Sequence, residues 1–185
     1  MSLSPVKRLV LETMWMLNKP ATAAEIAKEV GLAFSSVMMH IIGLTRMELA
    51  ESREKSHYTV TERGKKALGF PELDKERATE LLAYLPLEKS FQFYADIGKP
   101  LNIHAASLGD FCDKILNVDL GSVEFHLGRG DFEAWFTGLG DFELSRKVFI
   151  IKEQKHSGEE LRRKLYDTVK NRCEELARIK TGVGV

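Results

Sequence analysis

The sequence contains few cysteines and no long apolar run, and both absences exclude classes of protein. Cys112 and Cys173 are the only cysteines among 185 residues. Their spacing fits neither a disulfide framework nor a metal or redox motif, so we expect two buried free thiols. Apolar runs are short, as at residues 148–151, whereas a membrane-spanning helix needs about 20 apolar residues. The amino terminus lacks the pattern of a signal peptide, so we expect a cytoplasmic protein that does not enter a membrane.

The sequence also lacks the common signatures of catalysis. No serine lies in a Gly-x-Ser-x-Gly turn, and neither cysteine has a histidine beside it in the chain. Four glycines of the second half interrupt aromatic segments instead of following a strand, so they do not predict a phosphate-binding loop. These four are Gly128, Gly130, Gly138 and Gly140. We expect no enzyme activity, no cofactor and no metal.

Positive charge is concentrated in the first part of a chain whose formal net charge is zero. Residues 1–70 hold ten Lys and Arg against seven Asp and Glu, a net charge of +3. The remaining residues hold 17 against 20, a net charge of −3. The asymmetry is modest, but it places the charge that attracts phosphate in the amino-terminal part.

The first part shows clear helix boundaries. Ser4 followed by Pro5 predicts a helix start, and residues 22–25 (Thr-Ala-Ala-Glu) form a capping box that predicts a second, short helix. Gly31 is typical of the left-handed residue after a helix. A third helix is then predicted from about Phe34 to Met47. Its core-facing residues are expected to be Val37, Ile41 and Leu44.

A short β-hairpin is predicted after the third helix. Residues 49–52 and 56–60 alternate as strands do, and the polar residues Arg53, Glu54 and Lys55 are suited to the tip between them. Thr61 then predicts the start of a fourth helix that contains Leu68, and residues 69–71 end it. The pattern is a helix-turn-helix followed by a two-stranded wing.

The segment from Tyr58 to Leu68 has the pattern Tyr-Thr-Val-Thr-x-x-Gly-x-x-x-Leu. This pattern resembles the junction between wing and helix in winged-helix regulators of the multiple-antibiotic-resistance and related archaeal families. The resemblance covers about residues 4–69. It implies a homodimeric transcription factor that binds double-stranded DNA, with its third helix in the major groove and its wing at the minor groove or backbone. The positions it implies for DNA contact are Ser35, Ser36 and Met39 in the groove, and Arg53 and Lys55 on the wing.

The third helix departs from that family in one respect. Its expected outer face carries Phe34, Met38, Met39, Ile42 and Gly43 instead of basic or amide residues. The two serines and His40 remain able to contact phosphates or bases, but no arginine on this face is placed to bind guanine with two hydrogen bonds. An apolar face either packs on thymine methyl groups or buries against another protein. The alternative prediction is therefore a protein-interaction module that does not bind DNA, in which Arg53, Lys55, Lys65 and Lys66 are ordinary solvated residues.

The second half is predicted to be mostly helical. Residues 71–87 are expected to form a linking helix, and residues 88–185 a domain of unknown function, whereas the aromatic segment from Ser90 to Asp96 fits either a strand or a buried helical turn. Ser107, Asp141 and a second capping box at residues 157–160 predict helix starts. The last helix carries an apolar stripe that either is buried in this domain or forms a dimer interface. Its residues are Leu161, Leu165, Val169, Cys173 and Leu176.

The segment Ser122 to Trp135 (SVEFHLGRGDFEAW), with residues 91–94, 107–108 and 140–144, resembles an archaeal domain family of unknown function over about residues 88–180. That family also occurs beside glycosyltransferase-like domains, and the resemblance implies a helical accessory module in an archaeal protein but no particular activity. We expect this domain to sense a ligand or to dimerise. A small-molecule effector between the two domains stays open, because no residue identifies its site. The fold class predicted for the whole chain is mainly α with a small β wing.

Two hypotheses concern His126. The first is a buried histidine bonded to a carboxylate or a carbonyl. The second, an enzyme, requires a cleft that holds His126 and Asp131 within bonding distance, and packing of His126 under aromatic rings would argue against it. A metal role requires the fold to bring His104, Asp131 and Glu133 together. Arg129 and Asp131 are expected to form an ion pair across Gly130.

Overall fold

The computed structural model describes residues 3–54 and 56–182. The chain divides into two compact units, Met1–Glu72 and Leu73–Val185. Helix accounts for 65% of the residues, and the strands form two small sheets, which confirms the mainly α class. Among the residues that the structure describes, no single helix is long and apolar enough to cross a membrane. Lys55, one of the predicted wing residues, lies outside the described residues.

The first unit contains four helices, and the predicted caps begin three of them. These helices are α1 (Pro5–Leu17), α2 (Ala23–Val30), α3 (Phe34–Arg46) and α4 (Glu62–Leu68). The Ser4 hydroxyl accepts the Lys7 N–H, and Thr22 and Glu25 form both hydrogen bonds of the capping box. Gly31 ends α2 with a φ of 72°. Local hydrogen bonding therefore fixes these boundaries, as the sequence predicts.

The sheet of the first unit has three antiparallel strands instead of the predicted two. The strands are β1 (Ala21–Thr22), β2 (Ala50–Glu54) and β3 (His57–Val60), in the order β1-β3-β2. β1 was not predicted, because two residues are too few to show a strand pattern. The prediction that Arg53 and Glu54 lie in the hairpin tip is wrong. Both belong to β2, where the pairing with β3 is irregular between Ser52 and Glu54.

A buried apolar core joins the helices of the first unit. Val37, Ile41 and Leu44 of α3 are fully buried, as predicted, and Trp15 of α1 stacks on Phe70 at a ring distance of 4.6 Å. The other large buried residues include Val10, Leu11, Met14, Ile26, Leu49 and Leu68. Each fully buried side chain of this size contributes about 1.5–3 kcal/mol relative to an exposed one.

Gly64 is required where α4 meets the end of β3. A Cβ atom at this position would lie 2.1 Å from the Leu49 carbonyl oxygen and 2.7 Å from Cγ1 of Val60. The same Leu49 oxygen accepts the Thr61 N–H at 3.1 Å, so it cannot move away freely. A glycine therefore allows α4 to pack directly on the backbone that precedes β2.

The second unit contains six helices and a β-hairpin. Its helices are α5 (Lys75–Leu81), α6 (Leu108–Asn117), α7 (Leu120–Arg129), α8 (Asp131–Leu139), α9 (Phe142–Glu153) and α10 (Gly158–Thr181). A short 3-10 turn spans Leu87–Lys89. The hairpin pairs β4 (Phe91–Asp96) with β5 (Lys99–Ala105) in antiparallel register. The ambiguous segment from Ser90 to Asp96 is therefore mostly a strand, and β5 is its partner.

Several details of the second unit differ from the predictions. Gly130, with a φ of 79°, ends α7 and separates it from α8, so residues 122–135 form two helices. The prediction of a capping box at residues 157–160 is wrong, because the Ser157 side chain makes no capping hydrogen bond, although α10 does begin at Gly158. The Gly158 N–H donates instead to the Glu124 carboxylate at 2.9 Å. The segment expected as a linking helix contributes α5, and Ala78 and Leu81 of α5 belong to the core of this unit.

The stripe on α10 is buried within the second unit. Leu161, Leu165, Val169 and Leu176 lie in its core, and Cys173 is half-buried against them. Cys173 is also hydrogen-bonded to Cys112 of α6. Both cysteines are free thiols, and the hydrogen bond together with burial raises the pKa of the Cys112 thiol well above its usual value. The two thiols, far apart in sequence, are thus neighbours across the packed helices α6 and α10.

A buried ion cluster connects the start of α9 to α10. The Arg172 guanidinium donates two hydrogen bonds to Asp141, at 2.9 and 2.8 Å, and one each to Glu143 and Glu175, both at 2.7 Å. Burial by itself would lower the pKa of Arg172, but the Asp141 and Glu143 carboxylates outweigh it and raise that pKa, so the guanidinium stays charged. Asp141 also caps α9 by accepting the Leu144 N–H, as the sequence predicts.

Candidate nucleic-acid interface

The helix α3 presents one continuous face away from the core of the first unit. Because Val37, Ile41 and Leu44 are buried, residues spaced at three and four positions on the other side of the helix are exposed. We define the outer face of α3 as Ser35, Met39, Ile42 and Arg46. Met39 is 63% exposed and Ile42 42% exposed. The predicted residues Ser35 and Met39 are therefore on the surface, while Ser36 and His40 lie half-buried on its flank.

The amino end of α3 is open to solvent. Ala33 precedes the helix in an extended conformation and offers no side-chain cap, unlike the residues before α1, α2 and α4. The first turn contains Ser35 and Ser36, whose hydroxyl groups lie beside backbone N–H groups that have no helical partner. Such a turn suits an anion, because both its N–H groups and the helix dipole attract negative charge.

Two cations flank the outer face, and neither was among the predicted contact residues. Arg46 ends the face at its carboxyl end and is exposed. Lys7 of α1 reaches across to α3, where its Nζ would lie 3.3 Å from a Cβ atom on Gly43. Arg46 could have been predicted from the sequence, because helical spacing places it on the same face as Met39 and Ile42. Lys7 could not, because only the packing of α1 on α3 brings it to this face.

The predicted wing charges are less free than the sequence indicates. Arg53 lies in the irregular part of β2 and donates from Nε to the Glu51 carboxylate at 2.8 Å. Glu51 therefore partly neutralises the only predicted wing cation that the structure describes. On α4, Arg63 pairs with Glu48 at 2.5 Å, and Lys65 and Lys66 pair with Glu62 and Glu72 at 3.2 and 3.9 Å.

The hairpin is attached to α3 and α4 by side-chain contacts. The Tyr58 hydroxyl of β3 lies 3.9 Å from the Met38 sulfur of α3. The Thr61 hydroxyl donates to the Glu48 carbonyl oxygen at 2.7 Å, next to the close approach of Gly64 to Leu49. These contacts fix the base of the hairpin relative to α3. Between α2 and α3, the chain bends by 114° across the three residues 31–33.

His126 of the second unit is both hydrogen-bonded and packed among rings. Its Nε2 accepts the Tyr94 N–H at 2.8 Å, so the ring proton is on Nδ1, which donates to Asp131 at 2.7 Å. Four phenylalanines have ring centroids within 4.9–6.0 Å of the imidazole. The predicted buried, bonded histidine is confirmed. The contact with Asp131, which the enzyme hypothesis requires, and the aromatic packing, which argues against an enzyme, occur together. These two features therefore do not separate the two hypotheses.

Of the other contacts predicted in the second unit, the ion pair forms and the metal cluster does not. Arg129 Nε donates to Asp131 at 3.2 Å, which confirms the predicted ion pair across Gly130. His104 is exposed on β5, and Glu133 pairs with Lys152 at 3.5 Å. Within residues 3–54 and 56–182, no three His, Cys, Asp or Glu side chains converge as a metal site.

Comparison with known proteins finds no match: no family model matches the chain, and neither does any curated protein or solved structure. A function for this chain is therefore inferred from the residues described above.

Proposed function

We propose that the first unit is a winged helix-turn-helix domain that binds double-stranded DNA and that the chain is a transcriptional regulator. The observation that carries the proposal is the outer face of α3, exposed along the helix and bordered by Lys7 and Arg46. With 13 residues, α3 is about 20 Å long, and the major groove, about 12 Å wide, admits a helix of this kind.

The geometry of the helix pair supports the same proposal. Helix-turn-helix motifs join two helices at about 90–120° through a short turn that often contains glycine. The 114° bend between α2 and α3, made by three residues that begin with Gly31, has these properties. The antiparallel hairpin that follows is attached to α3 through Tyr58 and Met38, in the position of a wing.

The proposed binding mode combines phosphate contacts with weak base recognition. The open amino end of α3 with Ser35 and Ser36, together with Lys7, Arg46 and the wing, would contact the backbone and set the register. Met39 and Ile42 would pack on thymine methyl groups in the groove. Since none of these side chains makes the two-point arginine contact to guanine, we expect affinity to come mainly from charge.

A homodimer is part of the proposal, because twofold operators are read by twofold proteins. The α10 stripe does not support it, since its apolar residues are covered within their own unit. If the chain dimerises, another surface does so.

The first prediction concerns the salt dependence of DNA binding. A fluorescein-labelled random duplex is titrated with the full chain at low and moderate salt, and anisotropy is followed. Binding should weaken with salt, and Arg46→Ala should weaken binding and reduce the slope of log K against log salt by about one, because it removes one phosphate contact. The stoichiometry at saturation should be two chains per duplex site.

Arg178→Ala is the matched control, because Arg178 is an exposed arginine on α10 of the second unit. It should leave both affinity and slope unchanged. Absence of binding at low salt, or an equal effect of the two substitutions, would contradict the proposal.

A second candidate function is a protein-interaction module. Phe34 and Met39, 57% and 63% exposed, and Ile42 at 42% give α3 an apolar surface suited to a protein partner. In that case the duplex titration would show no binding that weakens with salt.

A further inference from the structure

The second unit has a surface pocket of about 330 Å³ between the β4–β5 hairpin and α7. His126 joins its walls, because the imidazole accepts a hydrogen bond from the backbone of β4 and donates one to Asp131 at the start of α8. Three elements are thus held together by one side chain. The pocket is therefore formed before any ligand binds.

Aromatic rings form one wall of the pocket. We define the aromatic pocket by Phe91, Tyr94, Phe125 and His126, with Arg129 at its rim. The ring centroids of Phe91, Phe125 and Tyr94 lie 4.9, 5.1 and 6.2 Å from that of His126. His126 is only 3% exposed and both imidazole nitrogens are bonded to the protein, so it holds this wall in place instead of contacting a ligand. A wall of this kind binds planar rings by stacking and by burial of apolar area.

Arg129 is the cation at the rim of the aromatic pocket. Its guanidinium carbon lies 5.1 Å from the Phe125 ring centroid, and its Nε donates to Asp131. Stacking and the Nε bond orient the planar guanidinium, whose two terminal amino groups make no hydrogen bond within the described residues. Those two groups form the fork that binds a carboxylate with two parallel hydrogen bonds.

The acidic groups at the rim already have partners. Asp131 accepts from both His126 and Arg129. Asp96 accepts the Ile97 N–H at 2.7 Å and pairs with Lys99 at 3.4 Å. The Gln92 amide and the Tyr94 hydroxyl also line the pocket, but Arg129 is the cationic donor that remains for a ligand, so the complementary ligand group is an anion.

We propose that the aromatic pocket binds a small planar aromatic carboxylate. The ligand ring lies among Phe91, Tyr94 and Phe125, and its carboxylate is bound by the terminal amino groups of Arg129. The proposal stands on the second unit alone and does not depend on DNA binding by the first.

The test is a ligand-detected NMR titration of the full chain with 2-naphthoate. A ligand of this size is expected to bind with a Kd on the order of 0.1–1 mM. The neutral analogue 2-naphthamide should bind at least about tenfold more weakly, because it cannot form a charged pair with Arg129. Arg129→Gln should weaken naphthoate binding by a similar factor and bring it level with the amide.

Arg146→Gln is the matched control. Arg146 also lies over a phenylalanine ring, that of Phe149 on α9, at 5.2 Å, but it does not line the pocket. The Arg146→Gln variant should leave naphthoate binding unchanged.

Ile97→Glu is a second variant, at the mouth of the pocket. Because Ile97 is 76% exposed, this variant should fold like the wild type. It should also weaken naphthoate binding, because the new carboxylate repels the anion.

The proposal is supported if Arg129→Gln and Ile97→Glu bind naphthoate more weakly, Arg146→Gln does not, and circular dichroism shows that both weakened variants are folded. Absence of naphthoate binding, equal binding of the neutral amide, or equal effects of Arg129→Gln and Arg146→Gln would overturn it.

Discussion

At the scale of single residues, His126 shows how burial and hydrogen bonding select a protonation state. The Tyr94 N–H points at Nε2, and the imidazole can accept this bond only while Nε2 carries no proton. Burial lowers the pKa of His126 below its usual value of 6.5, against the opposing effect of Asp131. Protonation would place two donors face to face and charge a buried ring.

The pH dependence of stability follows from that depressed pKa. Below pH 6.5 the unfolded chain binds a proton at this position more readily than the folded chain, so His126 lowers stability as the pH falls through its folded pKa. We expect the melting temperature to fall between pH 7.5 and 5.5. In His126→Gln, whose amide supplies a donor and an acceptor without titrating, the fall should be smaller. His156→Gln is the control, and an equal fall in both variants would contradict this account.

Gly64 carries a prediction about steric fit. Gly64→Ala places a methyl group 2.1 Å from the Leu49 carbonyl oxygen, and overpacking against backbone should destabilise the first unit by about 3 kcal/mol. Gly128→Ala is the contrast, because a Cβ atom there meets nothing within 4 Å and alanine is the better helix residue. Thermal unfolding by circular dichroism, with hydrogen exchange at α4, measures both. A Gly64→Ala protein as stable as the wild type would refute the steric argument.

At the scale of elements, α9 and α10 are joined by charge inside an apolar unit. Arg172 is 2% exposed and Asp141 1%, so Asp141 depends on the guanidinium and on the Leu144 N–H for the hydrogen bonds that water would otherwise supply. Glu143 is also paired with the buried Lys147 at 3.6 Å. A buried pair of this kind adds little net stability compared with apolar residues, but breaking it leaves uncompensated charge. The cluster therefore makes the junction of α9 and α10 sensitive to single substitutions.

Arg172→Met should cost about 3–5 kcal/mol of unfolding free energy, because the buried Asp141 loses its cation. The double variant Arg172→Met, Asp141→Asn should recover much of this loss, since the asparagine still caps α9 and Glu143 keeps its ion pair with Lys147 at 3.6 Å. Urea unfolding followed by fluorescence measures both. A double variant no more stable than the single one would contradict the charge explanation.

Local signals account for the elements that the sequence predicted correctly. Ser4, Thr22, Thr61, Ser107 and Asp141 all cap helices in the structure, because a cap depends on residues within one turn. The strands were harder to predict. β1 has two residues, too few for any alternation. In β5, apolar Leu101, Ile103 and Ala105 alternate with polar Asn102 and His104, a strand signal that the prediction did not use.

At the scale of the whole molecule, charge and packing are distributed differently between the two units. The net +3 of residues 1–70 fits the cations beside α3, yet much of it is paired with neighbouring carboxylates, as for Arg53 and Arg63. Net charge is a sum over the sequence and does not reveal such pairing. Four of the six candidate contact residues lie on or beside the outer face of α3, while Lys7 and the aromatic pocket depend on tertiary contacts between distant segments.

The neighbouring thiols of Cys112 and Cys173 give the native chain a reporter of its own motion. The pair sits where α6 packs on α10. Cys173 is half-buried and reacts with a thiol reagent first, whereas Cys112, 8% exposed, is protected until these helices separate. When reclosing is faster than the chemistry, the modification rate equals the intrinsic thiol rate multiplied by the fraction of open molecules. The free energy of opening of this helix pair can therefore be read from labelling kinetics, without a dye or an added residue.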